Sequence, residues 1–291
     1  MHAFTFMGVP IDSVGRSGGT EHSPAKLRAL GLAEVCGADA GDLDVRIRGE
    51  ERDAETGIVG SADVLATTIS IREATAATLA SGEHPFLVGG CCSELPGALA
   101  GARDVLGRVG VAYIDGHLDL YDGETSPTGE AADMPLSVVL GWGPAAWVEA
   151  CGGASARPED IVPIGYRDPD ELPTLTRLSA RLGGGFQHVS KEDVQAEGAG
   201  TVGERVAADL AAKAGRFWLH LDVDVLGEDA FPATDYLMPD GLDMDEVVSL
   251  MRPFGASSAL AGVSIGCYNP EKDPGDACGR ALVAAFASAL S

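Results

Sequence analysis

Two short stretches of the chain carry residue types suited to metal-assisted chemistry. Asp115, His117 and Asp119 alternate in Val111-Ala-Tyr-Ile-Asp-Gly-His-Leu-Asp119, directly after the apolar run Val109 to Ile114. Asp222 and Asp224 alternate in the same way after Phe217-Trp-Leu-His-Leu221. In an extended chain alternate side chains point the same way, so each set can converge just past the end of a strand. Four carboxylates and an imidazole delivered to one place suit two divalent cations that share carboxylates. A single Asp after a strand is commonly a turn former or helix cap; two such clusters in one chain favour a metal site. Such ions lower the pKa of water from about 15.7 to about 7 in favourable sites, which suits hydrolysis at a planar C=N or C=O carbon. Asp119 is the candidate to receive the proton and pass it to a leaving nitrogen.

The elements that must position these residues alternate in type. Strands are predicted over Ala3–Val9, Leu43–Ile47, Pro85–Val88, Val109–Ile114, Ile161–Gly165, Gly185–Val189, Phe217–Leu221 and Ala261–Ile265. Helices are predicted from Ser23 to about Leu32, with Ser23 as cap and Pro24 in first position, and over Ser61–Ala80, Val202–Ala214, Asp243–Met251 and Cys278–Leu290. A further helix follows Gly89-Gly-Cys-Cys-Ser93. The alternation implies a parallel sheet covered on both faces, either an open doubly wound sheet or a closed barrel of about eight strands. In both, sites form at the C-terminal ends of strands, where the two clusters sit. No linker divides the chain, so residues 1–291 are read as one α/β domain.

Composition narrows the function. With 20 basic and 44 acidic residues the net charge is −24, which argues against nucleic acid as a partner. No apolar run reaches the ~20 residues needed to cross a membrane. The chain opens Met-His-Ala-Phe without a basic segment before an apolar one, so no signal peptide is expected. Six cysteines without C-x-x-C spacing fit a reduced, cytoplasmic protein with free thiols.

Taken together, Gly15-Arg-Ser-Gly-Gly-Thr20, Gly89-Gly-x-x-Ser93, the D-x-H-x-D and D-x-D patterns, Met134-Pro-Leu-Ser137, Ile164-Gly-Tyr-Arg-Asp168 and Tyr268-Asn-Pro270 resemble the ureohydrolase superfamily of arginases, agmatinases and formimidoylglutamases, in order from about Phe6 to Pro270. The resemblance implies a three-layer α/β/α fold with an open, mostly parallel sheet and a binuclear, most often manganese, site. It implies that Asp115 and Asp222 bridge the ions, that Asp119 and Asp224 complete the carboxylate shell, and that His117 binds one ion. It also implies a small-molecule substrate and a homo-oligomer, a trimer or hexamer.

Other positions depart from the family. Cys92 stands where a histidine ligand is usual, Ala132 where a proton-transfer histidine is usual, and Cys267 where a glutamate grips the guanidinium. Tyr121 replaces an asparagine that helps hold an amino-acid carboxylate. The pattern is closest to a natural-product branch that includes an N-hydroxyarginine hydrolase. Cys92 as a thiolate would soften its site toward zinc or iron; as a thiol it would be a small apolar filler. Cys267 is read as a small buried residue or a substrate contact. Asp168 and Asp170 fall where arginases contact the substrate's amino end, and Thr128 is read as a further substrate contact. His220 is read as a hydrogen-bonded core histidine.

The expected activity is hydrolysis of a C–N bond in a guanidine, hydroxyguanidine, amidine or amide-like molecule other than plain arginine. The alternative is an arginase-fold protein that keeps a metal without catalysis, or with a different reaction such as cyclisation.

Overall fold

The computed structural model describes residues 3–13, 18–183 and 186–290. Its centre is one eight-stranded sheet in the order β2-β1-β3-β8-β7-β4-β5-β6, with every described pair parallel. The strands are β1 (Phe4–Val9), β2 (Gly37–Asp42), β3 (His84–Gly89), β4 (Gly110–Ile114), β5 (Ile161–Tyr166), β6 (Val189–Ser190), β7 (Phe217–Asp222) and β8 (Leu260–Gly266). The sheet is open, with helices on both faces, which decides against the barrel. β1, β4, β5, β7 and β8 are buried at every position, as parallel strands between two helix layers must be.

The helices are α1 (Ser23–Ala29), α2 (Leu32–Cys36), α3 (Ser61–Ala80), α4 (Leu95–Leu106), α5 (Pro135–Val139), α6 (Ala145–Ala150), α7 (Leu172–Arg181), α8 (Lys191–Glu197), α9 (Ala199–Ala214), α10 (Met244–Gly255) and α11 (Ala277–Ala289). α3 packs on α4, and α10 packs on both α9 and α11. α10 starts at a capping box in which Asp243 accepts from the Glu246 N–H and Glu246 accepts from the Asp243 N–H, both at 2.8 Å.

Three expectations change. Ser23 is the first helical residue rather than the cap, which is His22, and the helix stops at Ala29 because Gly31 takes φ +103° before α2 begins. The strand expected at Leu43–Ile47 lies one segment earlier, as β2. That edge strand reads Gly-Ala-Asp-Ala-Gly-Asp and is almost wholly exposed; backbone pairing with β1 forms it, so it has no apolar signature. Of the strand expected at Gly185–Val189, Gly185 lies outside the described residues and the strand is confined to Val189–Ser190. Gly15, Arg16 and Ser17 of the early glycine-rich motif also lie outside the described residues.

Candidate metal centre

The site collects the C-terminal ends of five neighbouring strands. Cys92 follows β3, Cys267 follows β8, Asp222 ends β7 with Asp224 beyond it, Asp115 to Asp119 follow β4, and Asp168 to Glu171 follow β5. β4 and β7 pair with Ile114 opposite Leu221, so Asp115 and Asp222 leave the sheet side by side. Close backbone approach shapes the turn before Cys92: a Cβ on Gly90 would lie 1.6 Å from the Ile11 carbonyl oxygen, so only glycine fits there.

Backbone amides aim the carboxylates. The His117 N–H donates to Asp115 Oδ1 at 2.6 Å, the Asp224 N–H to Asp222 Oδ1 at 2.8 Å, and the Gly116 N–H to Asp224 Oδ1 at 3.1 Å. Donor atoms of Cys92, Asp115 and His220 lie within 4.8 Å of one another, and two further ligand groupings result. In one, His117 Nδ1 lies 3.1 Å from Asp224 Oδ2 and 3.7 Å from Asp115 Oδ1. In the other, donor atoms of Cys92, Asp222 and Cys267 lie within 4.8 Å of one another. Cys92 Sγ is 2.7 Å from Asp222 Oδ2 and 3.8 Å from Asp115 Oδ2, so Asp115 reaches toward both groupings. Asp119 belongs to none of these close groupings; its carboxylate accepts from the buried Tyr113 phenol.

The electrostatics fit a cation site. Burial, then repulsion from Asp224, pushes the Asp115 carboxyl up to about 6. Burial, then Asp224 and Asp115, holds Asp222 well above the usual carboxylate range. Burial pushes Asp119 up as well, helped by Asp115 and Glu171. Burial works against a charged His117, but the Asp224 and Asp115 carboxylates outweigh it and raise the imidazole well above its ordinary value. Buried carboxylates crowded this closely require compensating positive charge, as protons or as metal ions. The donor set of carboxylates, one imidazole and a thiol suits divalent cations.

A cavity of about 230 Å³ opens over this cage. Its wall includes His117, Asp119, Tyr121, Thr128, Asp222 and Asp224, and also Asp168, Asp170 and Cys267. The structure therefore brings every sequence-derived substrate candidate to one cavity. Two of them are already engaged. The Thr128 hydroxyl donates to Asp133 Oδ2 at 3.1 Å, and Asp168 Oδ1 accepts from the Asp170 N–H at 2.9 Å, capping the turn before α7. Ala132 lines the same cavity and brings no titratable group to it, beside Asp133 and Glu130, which do. A second cavity of about 290 Å³ shares Glu130, Ala132, Tyr236 and Cys267 with the first.

His220 is buried, as expected of a core residue, but it also touches the candidate ligand: Nε2 lies 3.1 Å from Cys92 Sγ and Nδ1 lies 2.7 Å from Ser264 Oγ.

The sequence pattern of the arginase family matches residues 2–291. The chain belongs to the arginase family. It is 27% identical to an arginase of Bacillus caldovelox over 99% of this chain and 98% of that one. It is 31% identical to an N(omega)-hydroxy-L-arginine amidinohydrolase of Streptomyces lavendulae over 71% of this chain and 68% of the relative. The solved native structure of the Bacillus caldovelox arginase superimposes with a TM-score of 0.92 at 25% identity, covering 100% of this chain and 99% of that chain. Family membership makes the protein a hydrolase acting on C–N bonds.

Three residues around the site gain a role only in three dimensions. Tyr113 reads as a core strand residue yet holds Asp119. Glu171 accepts the N–H groups of Leu118 and Asp119 and thereby shapes the acidic loop; burial pushes its carboxyl up to about 8. Tyr236 donates to Glu130 and stands edge-on to His117, with ring centroids 6.1 Å apart.

Proposed function

We propose that the protein is a divalent-metal-dependent hydrolase of a C–N bond in a small guanidine, hydroxyguanidine, amidine or amide-like compound, and that plain arginine is a poor substrate. The observation that carries this reading is the pairing of an intact cage with an altered pocket. Asp115, His117 and Asp224 converge within one ligand sphere beside Asp222, while the wall above them carries Cys267, Ala132 and Tyr121. Two divalent ions, manganese by family habit and zinc or iron where Cys92 ligates, would be held by Asp115, His117, Asp119, Asp222, Asp224 and Cys92, and supply an ionised water and a polarising charge at neutral pH.

The chain's own residues do the rest. Asp119, on the cavity wall and anchored by Tyr113, holds the proton that the leaving nitrogen needs. Asp168, Asp170 and Glu171 make one wall acidic, which favours a substrate with a cationic or donor-rich tail. Burying a guanidinium without a carboxylate partner costs several kcal/mol, and a thiol at Cys267 does not provide one. A less basic or better-activated substrate suits this pocket more closely. Among the described residues no helix is long and apolar enough to cross a membrane. A cytoplasmic location and a homo-oligomeric state, a trimer or hexamer, belong to the same proposal.

The test follows urea and ammonia release from arginine, agmatine, N-hydroxyarginine and simple amidines and amides, after separate loading with manganese, zinc and iron. Turnover of an activated guanidine well above that of arginine is expected. Arginine cleavage with kcat/KM in the ~10⁴–10⁸ M⁻¹s⁻¹ range of ordinary enzymes would overturn the substrate reading. Absence of turnover on the whole panel with full metal occupancy would favour a non-catalytic relative.

A further inference from the structure

We infer that Cys267 is a second thiolate ligand, so that Cys92, Cys267 and Asp222 make one metal position sulfur-rich while Asp115, His117 and Asp224 keep the other as an oxygen–nitrogen position. This rests on the metal dependence proposed above and goes beyond it, because it turns the residue at the guanidinium-gripping place into part of the metal site.

Topology brings the two sulfurs together. β3 and β8 are neighbours, with Val88 opposite Ile265, and each ends in a turn that delivers one cysteine. Cys92 Sγ and Cys267 Sγ are 4.0 Å apart. That is far from a disulfide, whose sulfurs lie about 2.05 Å apart. Two sulfurs each about 2.3 Å from one tetrahedral zinc would be separated by about 3.8 Å. The Asp222 carboxylate faces both sulfurs, so three donor atoms converge without large movement.

A filler role does not account for Cys267. It takes φ +67°, a left-handed conformation that only three other non-glycine residues adopt among the described residues. Strain of that kind persists where the surroundings require the side chain. The side chain lies at the edge of the apolar core, facing a buried carboxylate and another thiol, and it lines both cavities.

Burial, then Cys267 and Asp222, pushes the Cys92 thiol well up, so a bound cation would be needed to draw out the thiolate; one neighbour is placed to assist it. The Trp218 indole N–H can only donate, and it donates to Ser264 Oγ at 2.9 Å. Among the described residues the Ser264 hydroxyl has no acceptor other than His220 Nδ1, at 2.7 Å. Donation to Nδ1 places the His220 proton on Nε2, which lies 3.1 Å from Cys92 Sγ. His220 is then a hydrogen-bond donor to the sulfur rather than a metal ligand, and such a donor stabilises a thiolate and orients it. Tyr113 stacks on the His220 ring at 4.9 Å and 12°, fixing its plane.

The test is cobalt(II) titration of the reduced full-length protein, read by near-ultraviolet sulfur-to-cobalt charge transfer, with sulfur coordination counted by X-ray absorption on the zinc-loaded protein. Two sulfurs on one zinc are expected. The charge-transfer intensity should fall by about half in Cys267→Ser and in Cys92→Ser, and vanish in the double variant. Cobalt bound with intensity unchanged in Cys267→Ser would overturn the inference and leave metal dependence standing. So would one sulfur or none per zinc in the wild type, a reading that depends on no variant. A folded wild type that takes up no manganese, zinc, iron or cobalt would overturn both. Circular dichroism of each variant separates loss of ligation from loss of fold.

Discussion

The phenol of Tyr113, the penultimate residue of β4, donates to the carboxylate of Asp119 five residues beyond the end of its own strand, in the loop that begins there. Both groups are buried, so the strand that carries the cage also holds the residue proposed to move the proton. Asp119→Asn should cost about 10²–10⁴ in kcat and lower bound metal, since Asp119 is also a proposed ligand. Tyr113→Phe should cost less, about 10- to 10²-fold, since it removes one charge-assisted hydrogen bond of about 1.5–3 kcal/mol. Steady-state kinetics beside metal analysis checks both; a Tyr113→Phe enzyme of unchanged kcat would detach the phenol from the chemistry.

The cage predicts linked occupancy and stability. Asp222→Ala should lower both bound metal and turnover, because Asp222 faces both sulfurs and lies next to Asp115. In the wild type, metal at 100 times its dissociation constant should stabilise the fold by about 2.7 kcal/mol. Melting curves with and without a chelator read this directly. Equal melting temperatures in the two conditions would argue that the cage binds nothing.

Cys92→Ala should lose about one metal equivalent, and Cys92→His should restore it with preference moved toward manganese, as nitrogen replaces a soft sulfur donor. Competition between zinc and manganese in both variants is the measurement. Unchanged stoichiometry and preference would make Cys92 packing only.

Asp133 gives a pH prediction away from the ligands. Burial pushes its carboxyl up to about 6, against the lowering effect of the Ser126 and Thr128 hydroxyls. An unfolded Asp titrates near 3.9, so between about pH 4 and pH 6 the native chain binds the extra proton and stability falls as pH rises. Asp133→Asn removes that dependence. Relative to wild type, the variant should gain on the order of 2–3 kcal/mol between pH 4 and pH 7. Urea unfolding at the two pH values measures the gain; a pH-independent difference would contradict it.

Legibility in the sequence followed burial. β4, β7 and β8 are buried on both faces and read as mostly apolar runs, interrupted by His220 in β7 and Ser264 in β8; α3 occupies the expected residues Ser61–Ala80. β2 leaves no apolar signal because it is exposed and formed by backbone pairing alone. The carboxylate–imidazole cage was visible because its members alternate within two short segments. Glu171 and Tyr113 were not, because their roles arise where one loop meets another strand, and local spacing carries no trace of such a contact. The departures at Cys92, Ala132 and Cys267 were visible as residue types, but only the geometry places the two sulfurs 4.0 Å apart.

β8 is the last strand in the chain, yet it sits in the middle of the sheet between β3 and β7. Until it inserts, the first three strands and the β7-β4-β5-β6 group share no hydrogen bond, and each presents an unpaired edge. Those two edges are apolar and open to wrong partners during synthesis. Cys267 arrives with the same strand, so the metal site and the sheet close in one late, long-range step. Slow folding is expected from such non-local pairing, and a nascent chain is expected to be inactive until β8 has left the ribosome.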